Sequence, residues 1–337
     1  MDNSRFIPTI VVPVLDRADM IQTTLNSIAA QTLRPLSVIV VDNGSTDATP
    51  EIVSRWIARN SGNGISAMLL TEPRRGAAIA RNTGLRRVES EYVMFFDSDD
   101  VMQPGHMERV AKALAERPDA DMIRWEISRL DSDGWLERTE HNDSDPLRLH
   151  IMHATYATAR FAVRTSLIKE SGGWDESLTT WDDLELGTRL LARRPVAIKL
   201  SGEPTVRTTV HPDSLTGPSF SSRAEAEIAA LDVMERDLQL AGRPEYVPLV
   251  DARRMILAAE LTRENNPETA HRLRRQTARD DCPAGRSLRL LAVYAVQRIA
   301  GHGGSALALA SLSPAPPRGL KAVKAAEKDP ETKQTTK

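Results

Sequence analysis

The chain holds a single cysteine, Cys282. No internal disulfide can form, and a reducing compartment is the expected setting. Net charge is also scarce, since 44 basic residues against 46 acidic ones leave −2 at pH 7. That balance gives no whole-molecule pull toward nucleic acid, so no nucleic-acid partner is expected. No stretch approaches the roughly 18 apolar residues of a membrane span. The opening MDNSRFIPTIVVPV has neither a basic leader nor a long apolar run, and no signal peptide is expected. Internal repeats are missing. What remains is a cytoplasmic globular protein. Its 337 residues, 41% of them hydrophobic, allow a sizeable core in one large domain with an appendage, or in two domains.

Four short apolar runs stand in the first hundred residues: TIVVPV (Thr9–Val14), LSVIVVD (Leu36–Asp42), ISAMLLT (Ile65–Thr71) and YVMFFD (Tyr92–Asp97). Apolar almost throughout, they suit strands buried on both faces of a mostly parallel sheet. Helical patterns lie between them. Met20, Ile21, Leu25 and Ile28 share one face of the first, and Thr49-Pro50-Glu51 opens the second with a cap, a first-turn proline and an early acid. The third runs from about Gly76 to Val88. This β-α-β-α-β-α-β series predicts an α/β fold with a doubly wound, Rossmann-like sheet flanked by helices.

Ligands in such sheets collect beyond the carboxyl ends of the strands. Those ends carry Leu15-Asp16, Asp42-Asn43-Gly44-Ser45, Glu72 and Asp97-Ser98-Asp99, so the polar residues fall on one edge. Asp97, Asp99 and Asp100 arrive together, and crowded carboxylates call for a positive partner. An Asp-x-Asp strand end suits Mg²⁺ or Mn²⁺, with water and phosphate oxygens completing the shell, which implies a diphosphate ligand. A solvated acidic turn gives the same string. RRGAAIARNTGL places small residues and Arg81 on a helix just before that strand, as a diphosphate needs, though a surface helix with ordinary arginines reads alike. Further on, GGWDESLTTWDDLELGTRLL sets Asp182, Asp183 and Glu185 at a helix start, where acids are also common for dipole reasons alone. VRTTVHPDSLTG supplies His211, an imidazole able to join a metal site.

Taken in order, these segments resemble the family 2 glycosyltransferases, which have the GT-A fold. The resemblance covers about Thr9 to Thr216. VVPVLDRADMIQTTLNSIAAQ is similar to the family's opening strand and helix, and VIVVDNGSTDAT to its second strand and nucleotide loop. GAAIARNTGLRRVESEYVMFFDSDD is similar to the D-x-D segment, and SLIKESGGWDESLTTWDDLELGTRL to the acceptor-side segment. The resemblance implies an inverting transfer of a sugar from a UDP- or TDP-sugar to a hydroxyl of a saccharide, lipid-linked or metabolite acceptor. Bacterial cell-surface polysaccharide or glycoconjugate synthesis is the implied setting. Pro13, Leu15 and Asp16 would line the nucleotide pocket with Ser98, and Asp42 would accept from the base imide. Arg81 would approach the diphosphate, and Asp97 the ribose or the metal. Asp99 and His211 would hold Mn²⁺ or Mg²⁺, and Asp183 would be the catalytic base. Asp182 stands where the family usually has Glu, which leaves its contact open.

Other features read more plainly. Trp174 and Trp181 on the acceptor side either stack on sugar faces or cover core. His150 and His153 lack further ligands at suitable spacing and read as structural. Asp131-Ser132-Asp133-Gly134 reads as a hairpin turn, because the later positions of a calcium loop are missing. The expected division is a GT-A domain over 1–221, a helical C-terminal extension over 222–312 and a disordered tail over 313–337. Within the extension, Arg286–Ile299 could lie on an anionic membrane, giving peripheral association at the inner face, or dock on the main domain; docking is the preferred reading. Two rival functions are weighed. A sugar nucleotidyltransferase would carry a glycine-rich loop with a lysine where this chain reads VLDRAD, and a non-catalytic scaffold would not need Asp97, Asp99, Asp183 and His211 together.

Overall fold

The computed structural model describes residues 6–130, 136–138, 145–209, 219–277 and 283–314. Its first half alternates β1 (Thr9–Val14), α1 (Ile21–Ala29), β2 (Leu36–Asp42), α2 (Thr49–Asn60), β3 (Ile65–Thr71), α3 (Ala77–Leu85) and β4 (Tyr92–Phe95). Next come β5 (Val101–Met102), α4 (His106–Glu116), β6 (Met122–Arg124), β7 (Ile127–Leu130) and β8 (Leu136–Arg138). They are followed by α5 (Pro146–His153), β9 (Phe161–Arg164), α6 (Thr165–Glu170), α7 (Asp182–Ala192), β10 (Ala197–Lys199) and β11 (Val206–Thr209). Among the described residues five α-helices follow: α8 (Ala224–Leu240), α9 (Val247–Arg263), α10 (Pro267–Thr277), α11 (Ala284–Ala300) and α12 (Gly304–Leu312).

The main sheet has seven strands in the order β10-β6-β9-β4-β1-β2-β3. β1 pairs in parallel with both β2 and β4, β2 with β3, and β6 with β10; only β9 runs against its neighbours. The mostly parallel sheet expected from the sequence is therefore present. Successive side chains of the central strands enter two different cores, as a strand's period of two requires. Ile10, Val12, Val38 and Val40 pack with Ile21, Leu25, Trp56 and Met107 on one face. Val11, Ile39, Val41 and Phe95 pack with Leu184, Leu231 and Leu257 on the other. That second core continues without a break into α8 and α9, across the expected boundary at 221/222.

Three expectations need correction. ISAMLLT is an edge strand with Met68 exposed, because no strand lies beyond it, so apolar content alone did not guarantee burial on both faces. The fourth strand stops at Phe95, two residues short, which frees Asp97 to turn inward. Two helices, α5 and α6, went unforeseen, and α10 and α12 were not singled out within the stretch expected to be helical. α10 buries Ala270, Leu273 and Thr277 on one face, whereas GSALALASL is too uniformly apolar to show a stripe. The proposed turn at 131–134, Cys282, His211 and 315–337 lie outside the described residues. β7 and β8, on either side of that turn, pair antiparallel.

A second, four-stranded sheet runs β5-β11-β7-β8. It sits beyond the carboxyl end of β4, since β5 begins five residues after Phe96. At β1 the strand order reverses, with β2 and β3 to one side and β4 to the other. A reversal of this kind opens a crevice at the carboxyl edge.

Candidate active site

The loops after β1 and β2 are stitched into one rim. Asp16 adopts a left-handed conformation (φ 48°), which short polar side chains tolerate. Its backbone N–H donates to Ser45 Oγ (2.9 Å), and its carboxylate accepts from the Thr46 N–H (2.7 Å). Those bonds from Thr46 hold the Asp16 carboxyl below its usual range. Pro13 and Leu15 flank this turn, Pro13 opposite Val41 in the ladder. Asp42, almost fully buried, accepts from the Gly44 and Ser45 N–H groups at 3.2 and 3.3 Å. Its oxygens thus shape the loop that follows β2, and a carboxylate has further lone pairs for a ligand. Asn43 ties the rim to the loop after β3, donating to the carbonyls of Glu72 (3.0 Å) and Arg74 (2.7 Å) and accepting from the Gly76 N–H.

The positive partner demanded by the aspartates is Arg81. It reaches the site from α3, whose small residues let the helix lie close on the sheet: a Cβ on Gly84 would come within 2.4 Å of Val11. The Arg81 guanidinium donates to Asp97 (3.0 Å) at the end of β4 and to Asp182 (2.6 Å) at the start of α7. It lies 4.5 Å above the Trp174 ring, which meets Phe95 edge-on. Arg81 therefore bridges two carboxylates, one on each side of the site where the sequence places a diphosphate. The open contact of Asp182 is this same arginine. Of the two readings weighed for Trp174, burial decides for core: the ring is 2% exposed.

Electrostatics follow from this packing. Burial alone would lower the Arg81 guanidinium, but Asp182, Asp97 and Asp183 outweigh it and hold it above its ordinary value. Burial pushes Asp97 up to about 6 against the pull of Arg81, with repulsion from Asp99 adding to the rise. Asp182 is raised for the same reason, burial outweighing Arg81. Asp100, deeply buried, is pushed well above the usual range by burial and by Asp97 and Asp99, and the Thr209 N–H partly compensates. Ser98 is anchored by its carbonyl, which accepts from Thr24 Oγ1 (2.9 Å) of α1. Asp99 is half-buried beside it.

Asp183 opens α7 with its side chain held at both oxygens. Oδ1 accepts from the Leu184 N–H (2.7 Å) and Oδ2 from the Thr158 N–H (3.2 Å). Trp181, just before it, has φ 53°, an unfavourable conformation for a bulky residue and a form of strain that gathers at functional sites. Arg253 of α9 stacks 4.8 Å over the Trp181 ring and donates to the Ile151 carbonyl (2.7 Å). Burial pushes Arg253 down to about 10, with Glu227 and Asp183 holding it up. Neither Thr158 nor Arg253 carried a sequence signal, because each reaches Asp183 from a distant segment. Asp100 did carry one, as the third acid of DSDD. His150 is structural: it accepts from the Tyr156 N–H (3.0 Å), approaches the Leu184 carbonyl (3.0 Å), and is neutral, burial pushing it down to about 3.

Among the described residues no three His, Cys, Asp or Glu side chains converge closely enough to hold a metal ion unaided. The oxygen donors at the end of β4, Asp97 and Asp99, fit a hard divalent cation that takes its remaining ligands from water and phosphate.

Residues 9–168 match the family described as Glycosyl transferase family 2. A pre-mycofactocin glycosyltransferase of Mycobacterium tuberculosis is 29% identical over 192 residues, which is 54% of this chain and 38% of that protein. The chain spans well under half the length of such curated relatives. Among solved structures, Staphylococcus aureus TarS 1–349 in complex with UDP superposes with a TM-score of 0.55 at 18% identity, covering 90% of this chain and 88% of that one. The mannosyltransferase PcManGT of Pyrobaculum calidifontis, in complex with GDP-Man and Mn²⁺, gives 0.53 at 22%, covering 90% and 85%. At such identities these two establish the fold, which is GT-A. Over residues 9–168 the chain is thus similar to family 2 glycosyltransferases, and it shares its fold with these two structures.

Proposed function

We propose that the protein is a metal-assisted, inverting glycosyltransferase using a nucleoside-diphosphate sugar, with UDP or TDP as the carrier. The carrying observation is the convergence of Asp97, Asp182 and Asp183 on Arg81, from β4 on one side and α7 on the other. β4, whose end carries Asp97, lies next to β1, where the strand order reverses. In this reading Pro13, Leu15 and Asp16 line the nucleoside pocket with Ser98, and Asp42 accepts from the base imide. Asp99, beside Asp97, would hold Mn²⁺ or Mg²⁺, whose charge offsets that gathering on the departing nucleoside diphosphate; His211 would complete the set. Arg81 fixes the Asp97 carboxylate and couples it to α7. Asp183 takes the proton of the acceptor hydroxyl as it attacks the anomeric carbon. The backbone N–H groups of Thr158 and Leu184 aim its oxygens. One displacement step inverts the centre. The acceptor class is a saccharide, lipid-linked or metabolite hydroxyl, in cell-surface polysaccharide or glycoconjugate synthesis.

The test is Asp183→Asn, which keeps the shape and loses the base. With nucleotide sugars as donors, donor affinity by calorimetry should hold while transfer falls about 10²–10⁴-fold. Turnover close to the parent's would refute Asp183 as base. Loss of donor binding along with turnover would make it structural.

A further inference from the structure

Helix α11 is apolar on two opposite faces, and only one of them is used. Leu290, Val293, Tyr294 and Gln297 are buried against the body of the protein. Tyr294 OH lies 3.2 Å from Thr262 Oγ1, and Gln297 Nε2 donates to Glu260 (2.6 Å), so this docking is specific. Docking on the main domain was the preferred expectation; α11 instead docks on α9 and α12 of the C-terminal helices, and its opposite apolar face stays exposed. Leu288, Leu291, Val296 and Ile299 are 68, 45, 38 and 85% exposed, with Ala292 and Ala295 exposed between them.

A single exposed leucine needs no explanation, but a stripe along three turns does. At 3.6 residues per turn, Leu288, Leu291, Ala295 and Ile299 form one line, with Arg289 roughly 100° to one side and Arg298 roughly 80° to the other. α11 and α12 together contain three arginines, Arg286, Arg289 and Arg298, and no acid or lysine. Arg289 also donates to the Ser311 carbonyl (2.9 Å), which fixes α12 beside the stripe. In the sequence beyond α12, Arg318, Lys321 and Lys324 come before the first acid, Glu327.

We propose that this outer face of α11 lies in the surface of an anionic lipid bilayer. The stripe would sit at the headgroup boundary, and the rim arginines would extend to lipid phosphates along their apolar stems. Charge argues for this occupant. Two copies of the chain meeting across this face would oppose arginine rims of like sign, whereas anionic lipid complements them. The helix is in-plane, since no helix of the described residues is long and apolar enough to cross a membrane. This inference is independent of the transfer reaction proposed above.

The experiment sediments the full chain with vesicles of phosphatidylcholine alone and with an even mixture of phosphatidylcholine and phosphatidylglycerol. The native chain should bind the mixed vesicles, and binding should drop at least about tenfold both without phosphatidylglycerol and in a Leu288→Gln/Ile299→Gln variant. Both substituted residues are exposed, so the variant should unfold at the native temperature and bind nucleotide as the parent does. No binding to mixed vesicles, equal binding to both vesicle types, or undiminished binding by the variant would overturn the proposal. So would a native dimer in gel filtration that the variant converts to monomer, because a second copy would then cover the face.

Discussion

Arg81 is the charge that lets Asp97 and Asp182 share one site, so deleting it probes the whole junction. Arg81→Met keeps an apolar stem over Trp174 and removes the guanidinium. The pair with Asp182 is nearly enclosed, the side chains being 7% and 14% exposed, and it counts in full. Removing one partner of such a pair costs about 3–5 kcal/mol. The pair with Asp97 counts for much less, about 0–1 kcal/mol, because 36% of that side chain meets solvent. The two share one guanidinium and do not simply add, so the expected loss is about 3–5 kcal/mol in urea denaturation with a chelator present. Acidity supplies a second arm. Asp97 already titrates at about 6 and Asp182 is raised, with Arg81 pulling both down. A carboxylate whose folded pKa is raised contributes stability at low pH that is lost as pH rises through the folded value. In the native protein Asp97 loses that contribution between its ordinary 3.8 and about 6. Without Arg81 the window for both acids extends higher, so the variant's deficit should shrink between about pH 7.5 and about pH 5. A deficit under about 1 kcal/mol, or one equal at both pH values, would refute Arg81 as the strut.

The remaining predictions follow from close packing and buried imidazoles. Gly84→Ala should destabilise by about 1–3 kcal/mol although alanine is the better helix former, because its Cβ would meet Val11 at 2.4 Å; a stabilised variant in thermal melts would sink this. Gly187→Ala would push a methyl to 2.2 Å from His150 Nε2 and shift α5 against α7, so it should destabilise at least as much and also lower transfer through Asp183; full activity would refute that coupling. His106 and His150 are held neutral by burial, each pushed from 6.5 to about 3. The unfolded chain binds protons there first, so stability should be level above pH 6.5 and fall as pH drops toward 3, by up to about 1.4 kcal/mol per unit for each histidine. Urea melts across that range should show a gentler slope in His150→Gln, and an unchanged slope would mean His150 already titrates normally.

Much of the fold was legible because it rests on local pattern. β1, β2 and β3 begin and end where the apolar runs do; for β1 and β2 the reason is that a buried parallel strand is an uninterrupted apolar run closed by a polar turn. α8 shows through its apolar repeat, whereas α9 is buried nearly all round and shows through its apolar length. α12, apolar all round and packed on α9 and α11, carries no stripe to read. The candidate site was half legible. Strand ends gave Asp16, Asp42 and Asp97–Asp99 a common edge before any neighbour was known.

The sequence by itself determined which residue types stand at the carboxyl edge, in what order, and that carboxylates there would need a cation. It named Arg81 for a diphosphate, but not as the partner of those carboxylates. Only the tertiary structure, by seating α3 against β1, brings the one guanidinium to Asp97 after β4 and Asp182 at the start of α7, residues 85 positions apart. The same holds for Trp174, Thr158 and Arg253. Their roles depend on burial and on distances between remote segments, and those are set when two faces of one sheet are packed, a quantity that no local pattern encodes.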